Sequence, residues 1–402
     1  MLGKFVIPKD NKTIITVGNE DACIKGFDRE AIQQALDSIN QRGGGTVRLK
    51  EGTYEIMAPI RLYSNTNLIG SGEKTILKKI DGYRTQFVVD ADYGELLATV
   101  KDASGFKSGM GIRLTDADKC TGWDVSTAII TRIENNTIYF DNYILRDYNS
   151  DAGGIVSNTC SIIEGIGISN VTIANLVING NGDSNDLMDG CRAGGIFLHK
   201  ATNCLVENVS VENFSGDGIS WQITDDITVR NCIVAGCKNF GLHPGTGSGN
   251  TVIEGCTVHH NGTDGIFICW RVQYGLFKNN KIYKNGRCGI SIGHKDTNNY
   301  FSENEIFENG YCGIYVRKEA ESNGAHYNTY EKNIISDNGN NEEGFGFLVD
   351  SQVRGTVIKE NVICDNGTAI QKIGICINDS INEYKIIDNV ISAPMIDIYI
   401  NR

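Results

Sequence analysis

Proline is scarce in this sequence, and long apolar runs are missing from it. Only 4 of the 402 residues are proline, whereas 47 are glycine. Such a chain changes direction mainly through glycine and asparagine, which tolerate left-handed backbone conformations. No run reaches the roughly 20 apolar residues that a membrane-spanning helix needs, and the N-terminus lacks the apolar stretch of a secretion signal. We therefore expect a cytoplasmic protein without a membrane partner.

Basic residues are also in deficit, with 37 Lys and Arg against 49 Asp and Glu and a net charge of −12. Nucleic acids bind basic surfaces, so no nucleic-acid partner is expected. The 13 cysteines are odd in number and form no zinc-type pairs of the CxxC kind. We predict reduced, mostly buried cysteines and no metal site. No cofactor is expected, and a calcium ion is the alternative left open.

A repeat of about 24 residues dominates the second half of the chain. Glycine followed by a β-forming residue recurs at intervals of 23 or 24 residues, at Gly195, Gly218, Gly241, Gly265, Gly289 and Gly313. Asn-Gly pairs and a second series of asparagines keep the same period. A period of this length without helical periodicity indicates stacked coils of parallel strands, about 4.8 Å apart, in which asparagines bond along the axis. Right-handed winding is expected for such crossovers.

Two segments depart from the repeat. "DREAIQQALDSINQ" predicts an amphipathic helix with Asp28 as its N-cap, which would close the open end of the coils. Residues 96 to 156 break the rhythm and predict a small β insertion, with a hairpin at "IENNTIYF". The insertion either flanks a substrate groove or packs on the early coils. The chain therefore divides into an N-terminal cap with first coils (1–95), the insertion (96–156) and the main coils (157–402).

The stretch "DREAIQQALDSINQRGGGTVRLKEGTYEI", residues 28 to 56, together with the periodic coils, resembles the pectate-lyase superfamily. That family contains polysaccharide lyases, glycoside hydrolases and phage tailspikes. The resemblance implies an all-β, single-stranded right-handed parallel β-helix that acts on or binds an oligo- or polysaccharide. A tailspike-like member would be a homotrimer.

Outward side chains of the coils should form one polar strip. In each aligned strand the residue after glycine is apolar and should point inward, so the next residue and the one two further on should point outward. We define the strip as these residues and those just beyond each strand. Its predicted substrate-binding members are His199, Gln222, Asp225, His243, Trp270, Tyr315 and Lys318, and its predicted catalytic members are Arg271, His294, Lys295, Asp296, Arg317 and Glu319. Basic and aromatic groups on an acidic protein favour an elongated, anionic ligand, against the alternative of an ordinary solvated face.

Two kinds of chemistry fit the strip. A uronate lyase needs a base for the C5 proton, for which His294 or Lys295 would serve, and a cation that neutralises the carboxylate, for which Arg271 or Arg317 would serve. A glycosidase instead needs two carboxyl groups, drawn from Asp296 with Glu319, or from Asp225.

The local motifs do not decide between them. "TDD" at 224, "GHK" at 293 and "VRK" at 316 only partly resemble the polygalacturonase set. Asp217 and Asp264 precede strand glycines and are expected to serve turns, and His259 and His260 should lie on another side of the coil. The sequence favours an enzyme that cleaves a uronate-containing glycan, with a lyase ahead of a hydrolase and a noncatalytic, tailspike-like glycan binder as the third hypothesis.

Overall fold

A computed structural model describes residues 13–119, 122–188, 190–378 and 383–401. Their strands form two large parallel sheets around one continuous apolar core, and a smaller antiparallel sheet with a core of its own. The parallel β-helix predicted from the repeat is confirmed.

The largest sheet takes two strands from most coils. Its 22 strands are Ile14–Gly18, Ile24–Lys25, Gly45–Leu49, Gly52–Ile56, Thr66–Ile69, Thr75–Lys79, Ser169–Asn179, Thr202–Glu212, Asp225–Arg230, Ile233–Ala235, Val252–Glu254, Thr257–His259, Leu276–Lys278, Lys281–Tyr283, Tyr300–Ser302, Glu305–Phe307, Thr329–Glu331, Ile334–Ser336, Arg354–Lys359, Val362–Cys364, Glu383–Ile387 and Val390–Ser392.

The second parallel sheet contains the aligned glycine strands, and we call it the strip sheet. Its 11 strands are Ile60–Arg61, Ile163–Ile166, Ile196–His199, Ile219–Gln222, Leu242–Gly245, Ile266–Phe267, Cys288–Ile292, Cys312–Val316, Phe345–Val349, Ile373–Ile377 and Ile396–Ile400. Residues of successive coils pair directly, so that Ser220 lies beside His243 and Ser291 beside Tyr315.

The repeated glycines form one axial column, as predicted. A Cβ atom on Gly241 would lie 2.6 Å from the carbonyl oxygen of Gly265, and one on Gly265 would lie 2.8 Å from that of Gly289. The same close approach continues along the column in both directions. Glycine recurs there because a side chain would collide with the backbone of the next coil.

Buried asparagines form two ladders inside the coils, which confirms that they bond along the axis. In one ladder Asn261 Nδ2 donates to Asn285 Oδ1 at 2.9 Å, and Asn285 Nδ2 donates to Asn309 Oδ1 at 2.9 Å. The other runs through Asn280, Asn304, Asn333, Asn361 and Asn389. Each amide also bonds to backbone groups of neighbouring coils, so these buried polar side chains are satisfied.

The predicted helix lies at Arg29–Asn40, and the side chain of Asp28 accepts a hydrogen bond from Ala31 N at 2.8 Å. Ile32, Leu36 and Ile39 are fully buried against the first coils. The helix contributes its apolar face to the main core and covers the end of the solenoid. Short 3₁₀ helices lie at Gly122–Asp124, Gly182–Ser184 and Glu321–Asn323. No helix in the described ranges has the length and apolar character to cross a membrane.

The insertion is a six-stranded antiparallel sheet made of Arg84–Gln86, Leu97–Thr99, Gly111–Thr115, Ser126–Glu134, Thr137–Phe140 and Ile155–Ser157. The predicted hairpin is present, with Asn135 at a φ of 54° in its turn. Arg84–Gln86 pairs with Ile155–Ser157, so the antiparallel sheet begins at Arg84, before residue 96.

Candidate active site

In the strip sheet, the side chains predicted to point into the core do so, whereas those predicted to point outward are not all exposed. Ile196, Ile219 and Ile290 are fully buried in the core, as expected. Several side chains on the outer face of the strip sheet are buried too, because other segments cover them. The Oγ of Ser220 donates to the backbone oxygen of Gly190 at 2.6 Å. Gly190 precedes the strand Ile196–His199, so the chain around it covers the coil that contains Ser220. The strip therefore has a covered part and an open part.

The open part centres on His294. Its Nδ1 lies 3.2 Å from Oε2 of Glu319 on the next coil, and its ring stacks on Trp270 of the preceding coil at 4.7 Å between centroids. Trp270 is 51% exposed, while the side chain of His294 is 19% exposed. A carboxylate on one ring nitrogen and an aromatic face on the ring hold this imidazole in one orientation. Three members of the strip predicted from three coils thus meet.

Arg317 crosses the strip beside this group. Its guanidinium donates to Ser291 Oγ at 2.8 Å and to the backbone oxygen of Ile268 at 2.6 Å, and it lies 4.4 Å from the centre of the Phe267 ring. It passes directly over Gly293, where a Cβ would lie 2.8 Å from Nη2. Since Gly293 precedes His294, a fixed cation lies next to the oriented imidazole.

Asp296, predicted as a catalytic carboxylate, does not lie on the open strip. Its side chain is fully buried, Oδ1 accepts from Val272 N at 2.9 Å, and Oδ2 accepts from Gly293 N at 2.8 Å. Burial raises the pKa of Asp296 to about 6, against the opposing effects of Arg317 and these backbone groups. The backbone of Lys295 is left-handed, with a φ of 56°, and the following residue turns inward.

His243 belongs to the covered part and forms a buried pair with Asp217. Its Nδ1 lies 2.6 Å from Oδ2 of Asp217, and both side chains are at most 3% exposed. Burial opposes protonation, but the bond to Asp217 and the nearby Cys269 thiol outweigh it and raise the pKa of His243 to about 10. The sequence predicts only a turn-forming role for Asp217. It does accept from Phe240 N, yet its main partner is the imidazole.

A second buried aspartate holds an arginine at the edge of the strip. Asp264 accepts from Arg287 Nε at 2.9 Å and from Arg287 Nη2 at 3.0 Å, and also from Cys288 N at 3.0 Å. Arg287 Nη2 lies 3.3 Å from Ser291 Oγ, the hydroxyl that Arg317 also contacts. Two guanidinium groups thus converge on one serine, and each has a buried aspartate beside it, Asp264 for Arg287 and Asp296, at 3.7 Å, for Arg317.

Tyr315 lies one coil beyond Ser291 in the strip sheet. Its hydroxyl donates to Asp350 Oδ2 at 3.0 Å, and the Arg287 guanidinium lies 5.7 Å from the centre of its ring. Burial, with a further contribution from Asp350, raises the pKa of Tyr315 to about 12. The phenol therefore carries its proton at neutral pH.

The remaining predicted residues are scattered around this group. Gln222 is fully buried, and its amide lies over Gly245. Asp225 is exposed but begins a strand of the largest sheet, where its Oδ1 accepts from Asn250. Arg271, Lys295 and Lys318 are exposed at the strand ends, and Arg271 N donates to His294 O at 2.8 Å.

His199 lies under the insertion, which packs on the early coils. Trp123 is 5.5 Å from the His199 ring, and Arg192 lies 4.7 Å from the Trp123 ring. Burial, together with Lys200 and Arg192, lowers the pKa of His199 to about 4. His199 is therefore covered and uncharged at neutral pH. His259, by contrast, stacks on Tyr283 at 4.8 Å in the other sheet, as expected.

Sequence reasoning missed three side chains of this surface: Asp217, Asp264 and Arg287. The Asp-Gly pairs at 217 and 264 predict turns, whereas their spacing to His243 and Arg287 indicates a second role for each aspartate. An aspartate followed by a cationic or imidazole residue about one period later was the available signal. In the described parts of the chain, no group of three His, Cys, Asp or Glu side chains is arranged to hold a metal ion. The described cysteines are free, and eight of them are buried.

Comparison with known proteins identifies the fold family. Residues 98–268 and 167–323 match the family model described as a right handed beta helix region. The chain belongs to this right-handed β-helix family. The resemblance to the pectate-lyase superfamily is thereby confirmed.

Among curated proteins, mannuronan C5-epimerase AlgE2 of Azotobacter vinelandii is 26% identical over 270 residues, which are 60% of this chain and 24% of that protein. The chain thus spans about a quarter of the length of this relative. Among solved structures, the A-module of the Azotobacter vinelandii mannuronan C-5 epimerase AlgE4 has a TM-score of 0.60 at 17% identity and 92% coverage of both chains. The polygalacturonase from Erwinia carotovora also has a TM-score of 0.60, at 13% identity, covering 99% of this chain and 98% of that chain. These likenesses show the β-helix fold.

Proposed function

We propose that the protein modifies an acidic polysaccharide by removing the C5 proton of a uronate residue. The observation that carries this proposal is the oriented pair of His294 and Glu319 beside the fixed guanidinium of Arg317. A curated relative with 26% identity is named as a mannuronan C5-epimerase, and C5 chemistry on a uronate is consistent with that name.

His294 would act as the base. When Nδ1 carries the proton that is shared with Glu319, Nε2 is left with a lone pair that can accept a proton from carbon. The Trp270 ring keeps the imidazole from rotating and offers an exposed face on which a sugar ring can stack.

Arg317 would neutralise the uronate carboxylate. The proton at C5 becomes acidic enough to remove only when negative charge that spreads onto the carboxylate is stabilised. Arg317 is held by Ser291 and Ile268, so its charge is in place before substrate binds. Arg271, at the exposed strand end of the preceding coil, would add to the positive field.

Two outcomes share this first step. In a lyase the electron pair left at C5 expels the oxygen at C4, which takes up a proton, and an unsaturated sugar forms. In an epimerase the carbanion receives a proton on its opposite face, and no bond of the chain breaks. The phenol of Tyr315 keeps its proton at neutral pH and is our candidate donor for the second step.

A glycoside hydrolase with paired carboxylates is the weaker alternative. It would need two carboxyl groups on either side of the scissile bond. Of the predicted pair, Asp296 is fully buried with both oxygens bound by backbone N–H groups, so only Glu319 is open to a ligand.

The test is a screen of uronate-containing and neutral glycans with three readouts on each sample. Ultraviolet absorbance detects an unsaturated product, a reducing-end assay detects cleavage of the chain by elimination or hydrolysis, and proton NMR detects inverted C5 centres. Unsaturated or C5-inverted uronates support the proposal. New saturated reducing ends would establish the hydrolase instead, and binding without any product would establish the noncatalytic glycan binder.

A further inference from the structure

A cavity of about 450 Å³ lies between the first coils and the insertion, away from His294. Its walls come from the strands Ile60–Arg61 and Ile163–Ile166 on one side and from residues 127–129 and 142 of the insertion on the other. Its size falls within the range of about 300–1,000 Å³ that is usual for small-ligand pockets. Two separate parts of the fold thus enclose a space of ligand size.

Glu164 is a buried carboxyl group in the wall of this cavity. Its side chain is 10% exposed, and its nearest charged partner is Arg61 Nε at 3.7 Å. Its carboxyl group accepts no hydrogen bond from the part of the chain that the structure describes, although its backbone oxygen accepts one from Leu62 N at 2.9 Å. Burying a carboxyl group without hydrogen bonds is costly. On the next coil Phe197 occupies the matching position, so the fold accepts an apolar side chain there. The fold does not need a carboxyl group at this place.

Arg61 is fixed beside Glu164 by the insertion. Its Nη1 donates to Asp141 Oδ2 at 2.7 Å, and Asp141 Oδ1 accepts from Ile129 N at 2.7 Å. The Arg61 side chain is 41% exposed. The guanidinium therefore keeps a defined place at the cavity wall and still reaches solvent.

At this cavity one guanidinium, that of Arg61, faces two carboxyl groups, Asp141 at 2.7 Å and Glu164 at 3.7 Å. Burial raises the pKa of Glu164, Arg61 opposes that rise and Asp141 adds to it. Arg61 and Asp141 neutralise each other, and the other titratable wall groups are the Tyr63 phenol and the buried Cys160 thiol. An anionic ligand would meet the Glu164 carboxyl group and gain little from the Arg61 guanidinium, which is already paired with Asp141. The cavity suits an uncharged, hydroxyl-rich ligand.

We propose that the cavity binds a neutral sugar residue, with its hydroxyl groups bonded to Glu164, Arg61 and Ser64 and an apolar ring face on Ile166. Ser64 Oγ accepts from Ser169 N at 3.0 Å and retains its own proton to donate. Ile166 lines the cavity and is 54% exposed, which provides an apolar surface at the opening. The site is independent of uronate chemistry at His294.

The test is a titration of the full chain with methyl glycosides of neutral hexoses and, separately, of hexuronic acids, followed by ligand-observed NMR. A neutral hexoside should bind, and the hexuronides should bind more weakly. Glu164→Gln keeps hydrogen-bonding atoms and should retain binding, whereas Glu164→Leu should weaken it by about tenfold or more, the effect of losing a buried hydrogen-bonding group. Glu305→Leu, an exposed change on the largest sheet, is the matched control and should bind as the unaltered protein does.

Stability provides the second readout. Because the matching position holds Phe197, Glu164→Leu should have a Tm equal to or above that of the unaltered protein. The His294→Ala variant should bind the neutral hexoside normally, so a failure of the uronate proposal leaves this one standing. The proposal is overturned if no neutral hexoside binds, if hexuronides bind better, if Glu164→Leu binds as well as Glu305→Leu, or if it lowers the Tm.

Discussion

Replacing His294 by alanine should remove most of the activity and only part of the stability. A general base contributes about 10²- to 10⁴-fold to a rate, which corresponds to roughly 3–5 kcal/mol of transition-state stabilisation. The contacts that would be lost in the folded protein are one hydrogen bond to Glu319 and one ring stack on Trp270. Each is worth about 0.5–1.5 kcal/mol, so the free energy of unfolding should fall by about 1–3 kcal/mol.

His259→Ala is the matched control. This residue also has one ring stack, on Tyr283 at 4.8 Å, and one close polar contact, with His260 Nδ1 at 2.8 Å, but it lies in the other sheet. It should lose a similar amount of stability and keep full activity. Activity is measured as the initial rate on the glycan that the screen identifies, and stability by urea denaturation. If both variants are as active as the unaltered protein, His294 is not the base and the strip around it is not the catalytic site.

Three further predictions follow from the buried groups. The pKa of His243 is about 10 in the folded protein against an ordinary 6.5. The contribution of His243 to the free energy of unfolding is therefore complete below pH 6.5 and disappears as the pH rises to about 10. Asp217→Asn should flatten this part of the profile of stability against pH, measured by denaturation. Asn285→Ala should lower the free energy of unfolding by at least about 2 kcal/mol, because it leaves buried partners in two neighbouring coils unbonded, whereas Lys281→Ala on the surface should change it by less than about 0.5 kcal/mol. Alkylation under denaturing, nonreducing conditions, read by mass spectrometry, should find nearly all cysteines reduced, and several intact disulfides would contradict the free thiols of the structure.

The fold could be predicted because its determinants repeat along the chain. Gly241, Gly265 and Gly289 recur at a fixed interval since each coil brings the same backbone atoms into the same contact. The buried asparagines recur for a similar reason, because each amide bonds to the matching amide of the next coil. Such contacts depend only on the period, which the sequence displays directly.

The site could be predicted only in part, because it depends on local backbone turns and on covering segments. The left-handed backbone at Lys295 sends Asp296 inward, although the three ionisable residues are consecutive in the sequence. Gln222 and His243 face outward from the strip sheet but are buried, His243 against the rings of Phe240 and Phe267. The partners of Asp217 and Asp264 are 26 and 23 residues away and are recognisable only when the direction of each side chain is known.

The most direct test of the proposed C5 chemistry is the reaction of a uronate glycan with the protein in D₂O, followed by proton NMR of the C5–H signal. Removal of the proton by His294 predicts that this signal disappears, through elimination to an unsaturated sugar or through replacement by deuterium in an inverted one. The signal should persist with His294→Ala. New reducing ends with the C5–H signal intact would contradict the account, since they would show that the protein cleaves the glycan without touching C5.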